Sequence, residues 1–343
     1  MRARTLIACL SALACLFFTS MARARAAGAT RGASAWVVPW DSADAAAAGC
    51  FDELNPFAFA LSSAQALVLL SPDQIKEVSR LRRAGVLLVP VVVNDVYTEG
   101  KPAELKSDRA LNLLLSDSGT RDRHVAELAA AAQEFDGLEI DYEQIPEDQW
   151  VHYAEFIVSL AASLHKNGKK LYIDVEPKLL RNKEWANLSH AADRIKVMAY
   201  YELGGWSARP GPGNSTAWVA ETGRQALRVV PREKLVVALS LAGTDWAPSV
   251  PEAGSSSWTA KRLNYGQVMD LRAKSRAEVQ RDASGSPSFR VVRDGGEHEI
   301  WFEDEKSLEQ KVRALHALGI SRIAVWYWGR KHPDAAALGL CRP

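Results

Sequence analysis

Opposite charges nearly cancel in this chain: 42 Lys and Arg stand against 41 Asp and Glu, a formal net charge of +1 over 343 residues. Without a basic surplus there is no electrostatic case for nucleic acid or for an anionic membrane surface, so a partner must be recognised by shape and hydrogen bonding. Cysteine is scarce, four in all, and neither Cys50 nor Cys341 has the spacing of a metal site. The seven histidines show no HxxxH or similar ligand pattern. A GxSxG elbow, a Walker loop and a GxGxxG turn are missing too, which leaves those hydrolase, nucleotide and dinucleotide chemistries unsupported. No metal and no cofactor is expected. Beyond the N-terminal segment, no run is apolar enough to span a bilayer.

What is present is material for a large core: 48% of residues are hydrophobic and 24% charged, which argues against disorder. Arg2 and Arg4 followed by the apolar run Thr5 to Thr19 read as an export signal. Small residues at Ala22-Arg23-Ala24 and Ala24-Arg25-Ala26 offer cleavage sites, so residues 1–26 are assigned to a signal peptide and the mature protein to a secreted, periplasmic or extracellular location.

From there on, short apolar β-rich runs alternate with amphipathic helical stretches, the pattern of a parallel sheet with crossover helices. The runs are Ser34–Trp40, Pro56–Ala60, Val86–Asn94, Gly137–Glu143, Lys170–Glu176, Arg194–Tyr200, Lys234–Leu241 and Ile320–Trp326. Helices are expected at Pro72–Ala84, Arg121–Glu134, Glu147–Asn167, Ala217–Val230 and Lys306–Leu318. Eight strands with helices between them predict an α/β fold, a (β/α)₈ barrel, over residues 33–343. The beat fails once, from about 255 to 304, where a helix (Tyr265–Lys274) and three strand-like pieces with a Gly295-Gly296 turn suggest a small α+β insertion between the seventh strand and the seventh helix. In a closed barrel the first and last units are neighbours, so Cys50 and Cys341 are either a disulfide or two unpaired thiols.

The most informative segment is Asp136-Gly137-Leu138-Glu139-Ile140-Asp141-Tyr142-Glu143. Along a strand, a period of two puts Glu139, Asp141 and Glu143 on one face and Leu138, Ile140 and Tyr142 on the other. On a barrel stave the apolar face meets the helices and the acids point inward. Carboxylates crowded in that way repel one another, and burial raises their pKa further, which yields the protonated acid that a leaving glycosidic oxygen needs. The alternative is a solvated edge strand, which flanking helices on both sides oppose. Glu143 also closes the strand at its C-terminal end, where barrel enzymes keep their chemistry.

This octapeptide resembles the DGxDxDxE signature of glycoside hydrolase family 18, the chitinase family. The resemblance extends to Asn55-Pro56-Phe57 in the second strand and Val197-Met198-Ala199-Tyr200 in the sixth. It continues through Pro210–Asn214 with Trp218, and Ala324-Val325-Trp326 in the eighth strand. His298–Asp304 is similar to the end of the rim insertion in a branch that includes spore-cortex N-acetylglucosaminidases. The resemblance implies cleavage of β-linked N-acetylglucosaminides, in chitin or peptidoglycan, by substrate-assisted retention. Glu143 would be the proton donor and Asp141 the group orienting the substrate acetamide. Glu139 stands where the family usually has Asp. Tyr200 would bond the acetamide, unless a one-residue shift makes Tyr201-Glu202 the equivalent pair. Trp326 would floor the cleavage subsite.

Asp136, Asn94 and Trp40 complete the expected substrate-binding set, with Trp301 preferred as a second platform beside Trp326 because both fall near predicted strand ends. Asp174 and Glu176 alternate on the fifth strand, where they either face the same cavity or pair with a basic residue. The expected partner is an N-acetylglucosamine-containing glycan acted on by a monomer. A chitinase-like lectin without turnover is the competing reading, since a fold does not by itself specify activity.

Overall fold

The computed structural model describes residues 32–41, 50–81, 85–249 and 258–329. The expected signal peptide and Cys341 lie outside the described residues. Eight parallel strands close on themselves: β1 (Ala33–Val37), β2 (Glu53–Ser62), β5 (Val91–Tyr97), β6 (Gly137–Asp141), β7 (Lys170–Val175), β8 (Arg194–Met198), β9 (Leu235–Ser240) and β15 (Ile323–Trp326). Pairing of β1 with both β2 and β15 completes the ring. The fold is a (β/α)₈ barrel. Two short strands, β3 (Leu67–Leu69) and β4 (Leu87–Leu88), pair with β2 outside it.

The expected third run, Val86–Asn94, is in fact divided between β4 and β5. Pro90 lies at the division, where a residue without an N–H cannot donate to the ladder. A helix that the sequence pattern did not reveal, Asp108–Ser116, follows β5; Ser107 caps it, accepting from Ala110 N at 3.1 Å, and Ala110, Leu111, Leu114 and Leu115 are buried. A further helix, Trp185–Ala191, is too short to show a clear period in sequence.

Side chains alternate between two apolar layers. Leu138, Ile140 and Tyr142 of the β6 segment join the outer core against the helices, with Ile157 and Leu160 of helix Trp150–Lys166. A smaller inner cluster of Trp36, Val91, Val93, Met198, Tyr200, Val236 and Ala324 fills the barrel itself. Each fully buried Leu or Ile in these layers contributes roughly 1.5–3 kcal/mol, so the alternation is strongly enforced and the inward register of the acids follows from it.

On the rim stands a five-stranded antiparallel sheet in the order β11-β10-β14-β13-β12. Its strands are β10 (Gly243–Pro248), β11 (Trp258–Leu263), β12 (Gln280–Arg281), β13 (Pro287–Arg293) and β14 (Gly296–Trp301), with a helix at Tyr265–Ser275. The sheet begins at Gly243, ahead of the expected start near 255, because β10 follows β9 after only two residues and reads in sequence as its continuation. The hairpin turn is Asp294-Gly295, both at positive φ, and Gly296 already pairs with Arg293. Capping boxes at Asn264 and Asp304 hold the helices on either side of this sheet, each worth about 1 kcal/mol.

Candidate active site

At the C-terminal mouth of the barrel lies a cavity of about 540 Å³ lined by residues from β2, β5, β6, β8, β15, the loop after β1 and the rim sheet. Asp141 and Glu143 both reach it from the end of β6. Two anchors hold that strand end in place. Asn94 donates to the Glu143 carbonyl at 2.9 Å and accepts from the Glu143 amide at 3.0 Å. On the outer face, His124 Nε2 lies 2.5 Å from the Tyr142 hydroxyl. The next residue, Gln144, adopts φ of 58°, a strained turn that lets the chain leave the barrel directly after Glu143.

Lys106, which no sequence pattern singled out, places Nζ 2.5 Å from Glu143 Oε1. It enters from the loop before helix Asp108–Ser116, with φ of 51° and its amide bonded to Asp95 Oδ1 at 2.8 Å. Tyr201 donates its hydroxyl proton to Glu143 Oε2 at 3.2 Å. Burial raises the Glu143 pKa; the Lys106 ammonium opposes that, and the Glu176 charge adds to it. Burial also holds the Asp141 carboxyl well above the ordinary range, reinforced by the charge on Glu143. Asp141 Oδ1 has no hydrogen-bond partner among the described residues.

Trp326 forms the floor. Tyr200 stacks near it at 6.4 Å between ring centroids and 20° between planes, while Phe57 and Trp36 brace it from below at 5.2 and 5.7 Å. The flanks are the exposed indoles of Trp40 and Trp206. Arg262 of β11 donates to the Tyr200 carbonyl at 3.4 Å and lines the wall, so the rim sheet is part of the site.

Four of the expected site residues do not line this cavity. Glu139 is fully buried below it, holding Lys196 Nζ at 2.5 Å, Trp36 Nε1 at 2.6 Å and Asn55 Nδ2 at 2.7 Å. Asp136 precedes β6 at the opposite end of the barrel and accepts from Leu88 N at 2.8 Å. Glu202 turns away to bond Ser215 N at 2.5 Å and Ser215 Oγ at 2.8 Å, supporting the cap of helix Thr216–Ala226. Trp301 points its indole N–H at Glu299 Oε1, 2.5 Å away. Trp246 and Trp328 are core residues.

Asp174 is buried, and neither of its oxygens accepts from a donor among the described residues; burial, then the charges of Glu139 and Asp141, push its pKa up. Glu176 pairs with Lys178 at 2.6 Å. Lys196 was legible in principle, since it shares the inward parity of Met198 and Tyr200 in the middle of a strand that is apolar after its opening Arg194. Lys106 gave no such signal, coming from an irregular loop. Cys50 is disulfide-bonded. No cluster of potential metal ligands occurs among the described residues.

Residues 106–330 match the family model described as Glycosyl hydrolases family 18. An uncharacterized glycosylase, YvbX, of Bacillus subtilis (strain 168) is 24% identical over 229 residues, 64% of this chain and 65% of that one. The cortical fragment-lytic enzyme of the same organism is 24% identical over 276 residues, covering 74% of this chain and 63% of the relative. The chain thus spans just under two thirds of the length of these relatives. Among solved structures, a chitinase from Chromobacterium violaceum ATCC 12472 superposes with a TM-score of 0.75 at 22% identity, covering 91% of this chain and 99% of the other. The Bacillus cereus spore cortex-lytic enzyme SleL gives 0.75 at 18% identity, covering 91% and 74%.

Proposed function

Because the chain belongs to family 18 of the glycosyl hydrolases, we propose that it is an exported glycosidase that cleaves β-linked N-acetylglucosaminides with Glu143 as proton donor. One observation carries the reading: Asp141 and Glu143 open side by side into one cavity floored by an indole, and both carboxyls are raised towards the protonated state. A protonated Glu143 delivers its proton to the leaving oxygen and, once ionised, takes one from the incoming water. The nucleophile is the carbonyl oxygen of the substrate's own 2-acetamido group. Asp141, whose Oδ1 lacks a partner among the described residues, accepts the acetamide N–H and stabilises the cyclic cation that forms. The Tyr201 hydroxyl is committed to Glu143, which leaves Tyr200 as the tyrosine facing the acetamide. Trp326 takes the apolar face of the sugar ring.

The names of the relatives favour peptidoglycan as the polymer, with chitin the other candidate. Residues 1–26 are read as the export signal, and no helix among the described residues is long and apolar enough to cross a membrane.

A second reading, a lectin that binds without turnover, draws on the Lys106–Glu143 contact, which favours an ionised Glu143. Turnover of a chromogenic N-acetylglucosamine oligomer separates the two. Glu143→Gln is expected to lower kcat by about 10²–10⁴ while the oligomer still binds. Equal rates in both proteins, or efficient cleavage of cello-oligosaccharides lacking the N-acetyl group, would reject the mechanism.

A further inference from the structure

The active-site cavity is one end of a longer depression. A second groove of about 690 Å³ shares Lys106, Tyr201 and Trp206 with it and runs between the Pro177–Arg181 turn and helix Thr216–Ala226. A third, of about 600 Å³, shares Arg181 and Gln225 with the second. The lining of this outer groove contains three cations, Arg181, Lys183 and Arg228, and no carboxylate.

The neighbouring acids are already engaged. Glu176 holds Lys178 at 2.6 Å, Glu221 holds Arg224 at 3.0 Å, and Glu184 accepts from Asn187 at 3.0 Å. Arg181, Lys183 and Arg228 make no close ion pair among the described residues; the Arg228 charge reaches Glu221 only from farther off, as a small addition to the contacts that lower the Glu221 pKa. In a chain whose net charge is only +1, three cations in one groove continuous with the site, none in close contact with a carboxylate among the described residues, are a local excess that bulk composition does not explain.

We propose that Arg181, Lys183 and Arg228 form a binding track for carboxylate-bearing glycans, holding the part of the chain that extends away from the cleaved bond. This rests on the glycosidase reading and narrows its substrate class to sugars that carry an acidic substituent, such as an O-lactyl ether, over neutral N-acetylglucosamine polymers. The side chains have the right chemistry for such a ligand. A guanidinium meets a carboxylate through two parallel hydrogen bonds, and a lysine adds charge without fixing orientation. Exposed contacts of this kind are individually weak and screened by salt, so the track acts through their sum.

The test is binding by calorimetry to the Glu143→Gln protein, with and without Arg181→Gln, Lys183→Gln and Arg228→Gln together. Three tetrasaccharides serve as ligands. One is the neutral N-acetylglucosamine oligomer, used as the reference in each protein. The second is an alternating oligomer with a free O-lactyl carboxylate on every second sugar, and the third is that oligomer with its carboxyls amidated. With all three cations present, the free carboxylate form should bind about tenfold tighter than the amidated form at low salt, each contact contributing about two- to threefold. Added salt should close the gap, and the triple variant should lose it.

Equal affinity for the two forms, a preference that survives the triple variant, or no binding of either form overturns the proposal. Failure of the glycosidase reading is a separate result: it appears as absence of turnover by the wild-type protein on every oligomer, whatever the binding pattern.

Discussion

The contact between Lys106 and Glu143 poses a sharp question for the mechanism, because an ammonium beside a general acid favours its ionised form. Replacing Lys106 with Met keeps the stem and removes the charge. The ammonium lies 2.5 Å from Oε1, with the lysine side chain 37% exposed and that of Glu143 8% exposed. Two unit charges at that separation interact by about 7 kcal/mol at an effective dielectric of 20 and by about 2 kcal/mol in water. The exposure of the lysine places the pair near the lower figure, so we take about 1–2 kcal/mol, or about one pH unit.

The direction follows from the chemistry. Without Lys106 the Glu143 carboxylate loses its stabilising neighbour, and a pKa already raised by burial rises further. Since the reaction needs the protonated form, kcat/KM falls as pH increases through that pKa, and this alkaline limb should move up by about one pH unit in Lys106→Met. The assay is kcat/KM on a chromogenic oligomer across pH, for wild type and variant. A limb that stays in place, or moves down, would refute the assignment of Glu143 as the acid that Lys106 tunes.

Three further outcomes are expected. Lys196→Met leaves Glu139 buried without its counter-charge and should cost about 3–5 kcal/mol in denaturant unfolding, most of it recovered when Glu139→Gln is added; a loss under about 1 kcal/mol would refute the buried pair as a structural requirement. Asp141 has a folded pKa above its unfolded one, so the wild-type protein loses stability as pH rises through the folded value. Asp141→Asn escapes that loss and should gain on the order of 1 kcal/mol, about 2 °C in Tm, near pH 8 and nothing near pH 4; an equal gain at both would contradict it. Trp326→Ala should raise KM by about tenfold or more through loss of the stacking floor, whereas Trp301→Phe, away from the cavity, should leave kcat/KM within about twofold. A larger effect at Trp301 would mean that the site extends along the rim sheet as far as β14, beyond the Thr244, Ala260 and Arg262 wall.

The parts of the molecule that were legible in sequence are those set by a period. Alternation in β6 separates Leu138 and Ile140 from Glu139 and Asp141 because burial on two different faces enforces it. Spacing of apolar residues located most of the helices for the same reason. What periodicity does not encode is position along a strand and direction out of a loop. Glu139 and Glu143 share a face, yet one is sealed inside the barrel and the other opens at its mouth. Trp301 and Trp326 both close strands, but β14 belongs to a sheet whose strand ends do not converge on the barrel axis. Lys106 arrives from an irregular segment whose geometry depends on a capped helix further along the chain.

The substitution at position 139 ties these points together. A glutamate in place of aspartate looks in sequence like a flaw beside Asp141. In the fold its extra methylene lets one carboxylate collect Trp36, Asn55 and Lys196 at 2.5 to 2.7 Å. Three donors, one of them an ammonium, therefore hold it where it stands, although its charge still acts on Asp141 and Asp174. The β6–β7 register, with Ile140 beside Ile173, brings Asp174 next to Asp141, and Asp174 has no donor among the described residues. The charge on Asp141 thus raises the carboxyl of Asp174 on the adjacent strand, while Asp141 is itself raised by Glu143 and by Glu139 two residues earlier on its own. Lys196 is what makes the longer acid tolerable there, which is why its removal is expected to cost more stability than the change of any residue at the cavity wall.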